Sequence, residues 1–242
     1  MSNREYLYAG LAGLGMIGMF LSLKNMFPPA PAKGGPKRRL ASGPIVIAPA
    51  RGLICGEDTH RVQAKLRAST GPVDLVIHCY GGYVVAVDSI IHALRAYKGG
   101  LIHAYIPYYA FSGGTMIALA ASKIIMGQGA VLGPVDPQLA GFAAADLMQL
   151  TEQKSIDQVD DQFVLMGDLA RKTYKETREL VAQLVKSQAA FERLTSGVSS
   201  HANPIPFAEA LQLQLPVEEG VPEQYYRLLD GRLKLPQFLF DL

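Results

Sequence analysis

The chain has 242 residues, of which 49% are hydrophobic and 18% are charged, and its formal net charge is +2. This composition is typical of a folded protein and excludes a wholly disordered chain. The small net charge, without a zinc-finger pattern, a P-loop or a basic helix, gives no support for nucleic-acid binding. The two cysteines, Cys55 and Cys79, fit neither a disulfide framework nor a zinc site, which favours a reducing compartment for the folded part.

An uncharged apolar segment, YLYAGLAGLGMIGMFLSL, runs from residue 6 to residue 23. At 1.5 Å per residue, a helix of this length spans about 27 Å, close to the hydrocarbon thickness of a bilayer, so a transmembrane anchor over residues 1–25 is predicted. Basic residues follow the segment, which by the positive-inside rule predicts a single-pass membrane protein with its folded domain in the cytoplasm. A cleaved signal peptide is the alternative, because Pro-Ala-Pro-Ala at 29–32 resembles a processing site.

A linker rich in proline, glycine and basic residues occupies 26–43, so one folded domain is predicted over 44–242. In this domain, short apolar runs alternate with helical patterns. Strands are predicted at 45–48, 73–79, 101–107 and 123–126, and helices at 57–69, 84–98, directly after Ser112, 158–189 and 206–213. Because the apolar runs do not alternate with polar residues, they indicate an α/β fold with a largely parallel sheet buried on both faces.

Two glycine-rich corners follow predicted strands, at residues 78–82 (His-Cys-Tyr-Gly-Gly) and 111–115 (Phe-Ser-Gly-Gly-Thr). Ligands usually bind at this edge of a parallel sheet, and both corners lead into the amino termini of helices. A serine exposed there, beside backbone N–H groups of two glycine turns, has the parts of a nucleophile and an oxyanion hole. Ser112 would alternatively be an ordinary helix cap, with the glycines permitting close packing.

Three stretches resemble the serine dehydrogenase proteinase family, which comprises membrane-anchored relatives of signal-peptide peptidase A and of the Clp proteolytic subunit. They are DLVIHCYGGYVVAVDSIIHALRAY, IPYYAFSGGTMIALAASKIIMGQGAVLGPVDPQL and LTSGVSSHANPIPFAEALQLQLPV. The resemblance implies a Clp/crotonase-type spiral of ββα units and peptide hydrolysis by an activated serine, without a metal or organic cofactor. It also implies homo-oligomers and protein or peptide substrates, and the anchor adds membrane proteins to the expected substrates.

The same resemblance suggests roles for individual residues. Ser112 would be the nucleophile, and the backbone N–H groups of Gly82 and Gly113 would hold the oxyanion. The Clp subunit has a histidine base shortly after its serine, where this chain has Asp136, a residue that would either shape a turn or orient a base. The first choice of base is Lys154, in EQKSI, as part of a serine–lysine dyad whose lysine is kept neutral by desolvation. His201 is the alternative base.

The chain departs from the family pattern at two places. Tyr80 stands where a proline usually precedes the Gly-Gly pair, and SSHAN at 199–203 differs from a Thr-His-Asp type of segment. Two other functions stay open. A crotonase-type acyl-CoA enzyme would use the two amide corners without needing Ser112, although no paired carboxylates are evident there. A catalytically inactive membrane scaffold would keep the fold without a working base.

Overall fold

The computed structural model describes residues 43–197 and 200–232. The predicted anchor at 1–25, and all of the predicted linker except Gly43, lie outside the described residues. Within the described ranges, no helix is long and apolar enough to cross a bilayer.

A unit of two strands and one helix occurs three times in succession. The three units are β1 (Ile45–Ile47), β2 (Leu53–Ile54) and α1 (Gly56–Ala68); β3 (Val73–Ile77), β4 (Gly81–Gly82) and α2 (Val84–Ala96); and β5 (Ile102–Ile106), β6 (Tyr109–Ala110) and α3 (Gly113–Leu119). The resemblance implied this ββα repeat, and the structure shows it.

The remaining elements complete the sheets and add a helical layer. They are β7 (Lys123–Met126), β8 (Val131–Leu132), β9 (Gln138–Leu139), β10 (Phe142–Ala143), α4 (Ala144–Gln153), a 3₁₀ turn (Ile156–Gln158), α5 (Asp161–Ala182), α6 (Gln188–Thr195), β11 (Ile205–Pro206), α7 (Phe207–Gln212), β12 (Val217–Glu219) and α8 (Glu223–Asp230).

The main sheet has five parallel strands in the order β1-β3-β5-β7-β12. One face packs against helices α1 to α3 through fully buried side chains such as Ile77, Ile90 and Ile117. The other face packs against α8 through Val76 and Leu229. Burial along β5 alternates between buried and half-buried residues, so the predicted burial on both faces holds only in part. The prediction of a parallel sheet is confirmed.

The predicted single helix over 158–189 was wrong, because the chain forms two helices there. Asp160 begins α5 by accepting a hydrogen bond from the N–H of Gln162, and the Ser187 hydroxyl begins α6 in the same way. Between them, the Arg95 guanidinium donates to the backbone oxygen of Gln183 at 2.8 Å, where α5 ends. A cation at this position satisfies a carbonyl that the helix leaves without a partner.

Candidate active site

The two glycine corners lie side by side because short strands lead into them. Strand β4 pairs with β2, whereas β6 pairs with β8. The corners meet where Phe111 donates its backbone N–H to the Cys79 oxygen at 3.0 Å. At Gly81, which has φ +121°, an added Cβ would lie 2.9 Å from Cβ of Ser112. The absence of a side chain at residue 81 therefore allows the first corner to approach the serine of the second.

Ser112 has an unusual backbone conformation, with φ 49° and ψ −115°. A non-glycine residue at positive φ is strained, and such strain persists where the surrounding structure holds the residue in place. Ser112 occupies the N-cap position of α3, but its side chain makes no cap hydrogen bond. The interpretation of this serine as an ordinary helix cap therefore fails, and its half-buried hydroxyl is left for another role.

Helix α3 holds the serine turn rigidly, since all seven of its residues are buried. The Thr115 hydroxyl lies 2.7 Å from the Ala110 oxygen and accepts the N–H of Gly133 at 3.1 Å. These bonds tie the beginning of α3 to the ends of β6 and β8. The second corner is thus fixed by buried hydrogen bonds that do not involve Ser112.

Asp136 and His201 form a pair whose members are 65 residues apart in the sequence. Strand β11 pairs antiparallel with β8, so the loops that flank these strands meet. Asp136 is only 4% exposed; one carboxylate oxygen contacts Nδ1 of His201, and the other accepts from Nε2 of Gln138 at 2.8 Å. A carboxylate at Nδ1 fixes the orientation of the imidazole ring and leaves Nε2 as the free ring nitrogen.

Most of the predicted site residues line one cavity of about 560 Å³: Ser112, Gly82, Gly113 and His201. Asp136 also lines it. Its apolar wall comprises Leu53, Val84, Val85, Val87, Met116, Val135, Leu139 and Leu180. The structure therefore brings the nucleophile candidate, both oxyanion candidates and the alternative base together.

Lys154, the first-choice base, lies elsewhere. It follows the last residue of α4 at the C-cap position, its side chain is exposed, and it is not among the described residues that line the cavity. A serine–lysine dyad needs its lysine in apolar surroundings beside the serine. The position of Lys154 does not provide these surroundings.

Burial favours the neutral forms of two titratable groups in the first corner, Cys79 and His78. Burial raises the pKa of the Cys79 thiol to about 12, so Cys79 does not compete with Ser112 as a nucleophile near neutral pH. Burial also lowers the pKa of His78, whose ring centroid lies 4.1 Å from that of Tyr109. The position of His78 among aromatic rings indicates a structural role.

Sequence reasoning left Asp136 undecided and missed one wall of the cavity. Thr173, Thr177 and Leu180 of α5 line the cavity, although none of them was predicted as a site residue. Their spacing of four and three residues is the signal that a helical face enters the site. The sequence does not show which face that is, because the identity of the face depends on packing.

The fold and the cavity together define a Clp-like serine proteinase architecture. Residues 44–236 match the family of ClpP-like SDH-type serine proteinases, and the chain belongs to this family. The resemblance seen in the sequence is thereby confirmed, as is the α/β ClpP-like fold.

Two uncharacterised proteins of Methanocaldococcus jannaschii are similar to this chain. One is 40% identical over 187 residues, which cover 74% of this chain and 65% of that protein. The other is 35% identical over 187 residues, covering 74% and 63% respectively. The chain thus spans slightly less than two thirds of each relative.

Solved structures are similar to this chain at low sequence identity. ClpP1 from Listeria monocytogenes superposes with a TM-score of 0.50 at 16% identity, over 73% of this chain and 91% of that one. A mutant of a membrane-bound stomatin-specific protease gives 0.49 at 18% identity, over 74% and 79%.

Proposed function

We propose that this protein is a serine endopeptidase in which Ser112 is the nucleophile, His201 is the general base and Asp136 orients that base. One observation carries the proposal: Ser112 at φ 49° lines the same cavity as the His201–Asp136 pair. A serine, a histidine and a buried carboxylate are the parts of an acyl-transfer triad, which is recognised by geometry rather than by chain order.

In the proposed reaction, the Ser112 hydroxyl attacks a peptide carbonyl and passes its proton to Nε2 of His201. The imidazolium is stabilised by the Asp136 carboxylate and returns the proton to the leaving amine. Water then hydrolyses the acyl-enzyme by the same route. The negative oxygen of each tetrahedral intermediate would be held by the backbone N–H groups of Gly82 and Gly113.

The N–H of Gly113 is well suited to the oxyanion role. Gly113 is the first residue of α3, and its N–H has no hydrogen-bond acceptor among the described residues. The first N–H groups of a helix point outward and attract negative charge. Gly82, on the facing corner, lines the same cavity and is the second proposed donor.

The cellular setting belongs to the proposal as well. Residues 6–23 would anchor the chain in the bilayer as a single-pass helix, with the catalytic domain on the cytoplasmic side. The active form would be a homo-oligomer, and its substrates would be proteins or peptides, membrane proteins among them. These points are supported by the apolar segment, by the basic residues after it, and by family membership.

The test compares Ser112→Ala, His201→Ala and Lys154→Ala in the full-length protein, with Ser155→Ala as an exposed control. Casein and a peptide library report cleavage, and a fluorophosphonate probe with intact mass spectrometry reports the nucleophile. We expect Ser112→Ala to abolish labelling and His201→Ala to lower kcat by about 10³-fold or more. Lys154→Ala and Ser155→Ala should behave like the parent.

Other outcomes would change the assignment. Loss of cleavage in Lys154→Ala, with His201→Ala active, would establish the serine–lysine dyad and remove His201. Labelling that persists in Ser112→Ala would remove Ser112 as the nucleophile. Thioester turnover without any peptide cleavage would identify an acyl-CoA enzyme, and inactivity toward both classes of substrate would favour the scaffold.

A further inference from the structure

The cavity has a polar wall that the proposed triad does not use. Helix α5 contributes Thr173, Glu176 and Thr177 to this wall, and α2 contributes Asp88. Glu176 and Thr177 lie three and four positions after Thr173, so both are neighbours of Thr173 on one side of that helix. Hydroxyl and carboxylate oxygens therefore line the cavity together with its apolar residues.

The charge of this wall is negative. Asp88, Glu176 and Glu179 line the cavity, and none of the described lining residues is a lysine or an arginine. A carboxylate oxygen of Asp88 lies 3.2 Å from Nδ1 of His92. A carboxylate oxygen of Glu179 lies 3.9 Å from Nζ of the exposed Lys175, which is a weak ion pair. Glu176 has no ion pair within the part of the chain that the structure describes.

Nearby, Arg95 forms no ion pair with these carboxylates among the described residues. Its two terminal nitrogens donate to the side-chain and backbone oxygens of Gln183, at 3.0 and 2.8 Å. Its guanidinium is thus hydrogen-bonded to two neutral oxygens at the end of α5. The carboxylate of Glu176 is left available to a cation from outside the chain.

Thr177 is an independent indication that a ligand binds here. The residue is only 8% exposed, it lines the cavity, and within the described ranges its hydroxyl has no hydrogen-bond partner. A threonine in a helix commonly bonds the carbonyl four residues earlier, and Thr177 makes no such bond. Its oxygen is not among the described buried side-chain atoms without a partner, so it is accessible from the cavity. The Thr177 hydroxyl is instead free to accept a hydrogen bond from a bound molecule.

We infer that this wall is a subsite for a cationic nitrogen of the substrate, supplied by a lysine or arginine side chain or by a free amino terminus. Ammonium and guanidinium groups only donate hydrogen bonds, and they match a wall of carboxylates and hydroxyls. The inference rests on the proposed function, because the cation is taken to belong to a peptide cleaved at Ser112. The apolar residues of the same cavity would contact the aliphatic part of such a side chain.

The experiment uses the full-length protein and matched quenched peptides that carry lysine, norleucine or glutamate at one position, each with a free or an acetylated amino terminus. We expect the best lysine peptide to exceed its norleucine counterpart in kcat/KM by at least about fivefold, as for a partly exposed charge pair. If the amino terminus is the bound cation, acetylation removes the preference, whereas a side-chain preference survives acetylation.

Glu176→Gln removes the charge at constant shape and Thr177→Val removes the hydroxyl. Both should bring the lysine-to-norleucine ratio toward one. Glu152→Gln, an exposed carboxylate that does not line the cavity, should keep the parent ratio. Binding of labelled peptides to Ser112→Ala, measured by fluorescence anisotropy, supplies a readout that does not need catalysis.

The two hypotheses can fail separately. Cleavage without any preference for a cation, or a ratio unchanged in Glu176→Gln, would overturn the subsite and leave the peptidase standing. Absence of cleavage, combined with tighter binding of the lysine peptide that Glu176→Gln abolishes, would overturn the peptidase and keep the subsite. Equal binding of all peptides to Ser112→Ala would also overturn the subsite.

Discussion

The two glycine corners have the same local plan but present different surfaces. Each follows a strand of the main sheet, adds a two-residue strand and leads into a helix. The first corner exposes large apolar side chains, with Tyr80 57% and Tyr83 62% exposed. The second leads into a wholly buried helix and holds one strained serine at its start. One corner offers a surface to bind along, and the other offers a fixed reactive group.

This difference indicates how one repeated unit serves two purposes. A precisely positioned nucleophile needs rigid surroundings, which buried packing and hydrogen bonds supply. A binding edge instead needs accessible side chains and backbone. The repeat supplies both because its strand-to-helix turn is placed at the same end of the sheet each time.

The largest effect is expected for Asp136→Asn, which removes the charge of the carboxylate that contacts the proposed base, His201, and keeps the shape of the side chain. We expect kcat to fall by about 10²–10⁴-fold with KM little changed, because the imidazolium loses its stabilising partner. Steady-state kinetics and a pH profile check this. Asp146→Asn, on the exposed face of α4, should retain the parent rate. A rise in KM alone would assign Asp136 to binding.

The closeness of the first corner to its neighbouring strand is tested by Gly82→Ala. An added Cβ would lie 2.4 Å from the Ile54 oxygen and 2.6 Å from its nitrogen, and backbone atoms do not move aside cheaply. We expect the free energy of unfolding to fall by about 3 kcal/mol, the upper end for overpacking. Denaturant titration measures this change in the free energy of unfolding. Gly71→Ala, with no atom within 4 Å, should change it by less than about 0.5 kcal/mol.

The rigidity of the second corner is tested by Thr115→Val. This change removes a buried hydroxyl that lies within hydrogen-bond distance of the Ala110 and Gly133 oxygens and that shares the Gly133 N–H with the Ala110 oxygen, so it should cost about 1–3 kcal/mol of stability. The matched control is Thr151→Val, whose hydroxyl donates to the Met148 oxygen of its own helix and accepts from the side chain of Arg171; these less buried bonds should cost less to lose. Equal losses in the two variants would argue against a special role for the Thr115 bonds.

The smallest expected effect concerns pH and His78, in the first corner. Burial lowers its pKa from the ordinary value of 6.5, so the unfolded chain takes up a proton more readily than the folded one. Its contribution to stability is therefore complete above 6.5 and is lost as the pH falls below it. The free energy of unfolding of His78→Phe should decline less steeply between pH values of about 7 and 5 than that of the parent.

Much of the scaffold could be predicted from local patterns. The apolar runs at 45–48, 73–79 and 123–126 are strands of the parallel sheet, and the turn at 111–115 contains the strained Ser112. The break between α5 and α6 was not predicted, because Arg95 satisfies the end of α5 from a distant helix. Residues 6–23 remain a prediction, since they lie outside the described residues.

The sequence by itself determined four strands of the main sheet, the helices between them, the glycine corners and the family, since these depend on hydrophobic period, turn chemistry and motif. Only the tertiary structure placed His201 against Asp136, left Lys154 on the surface, and turned one face of α5 into the cavity. The physical reason is the difference in sequence separation over which the interactions act. Strand and turn preferences act over a few neighbouring residues, whereas a site is assembled by strand pairing and side-chain packing between segments that are far apart in the chain.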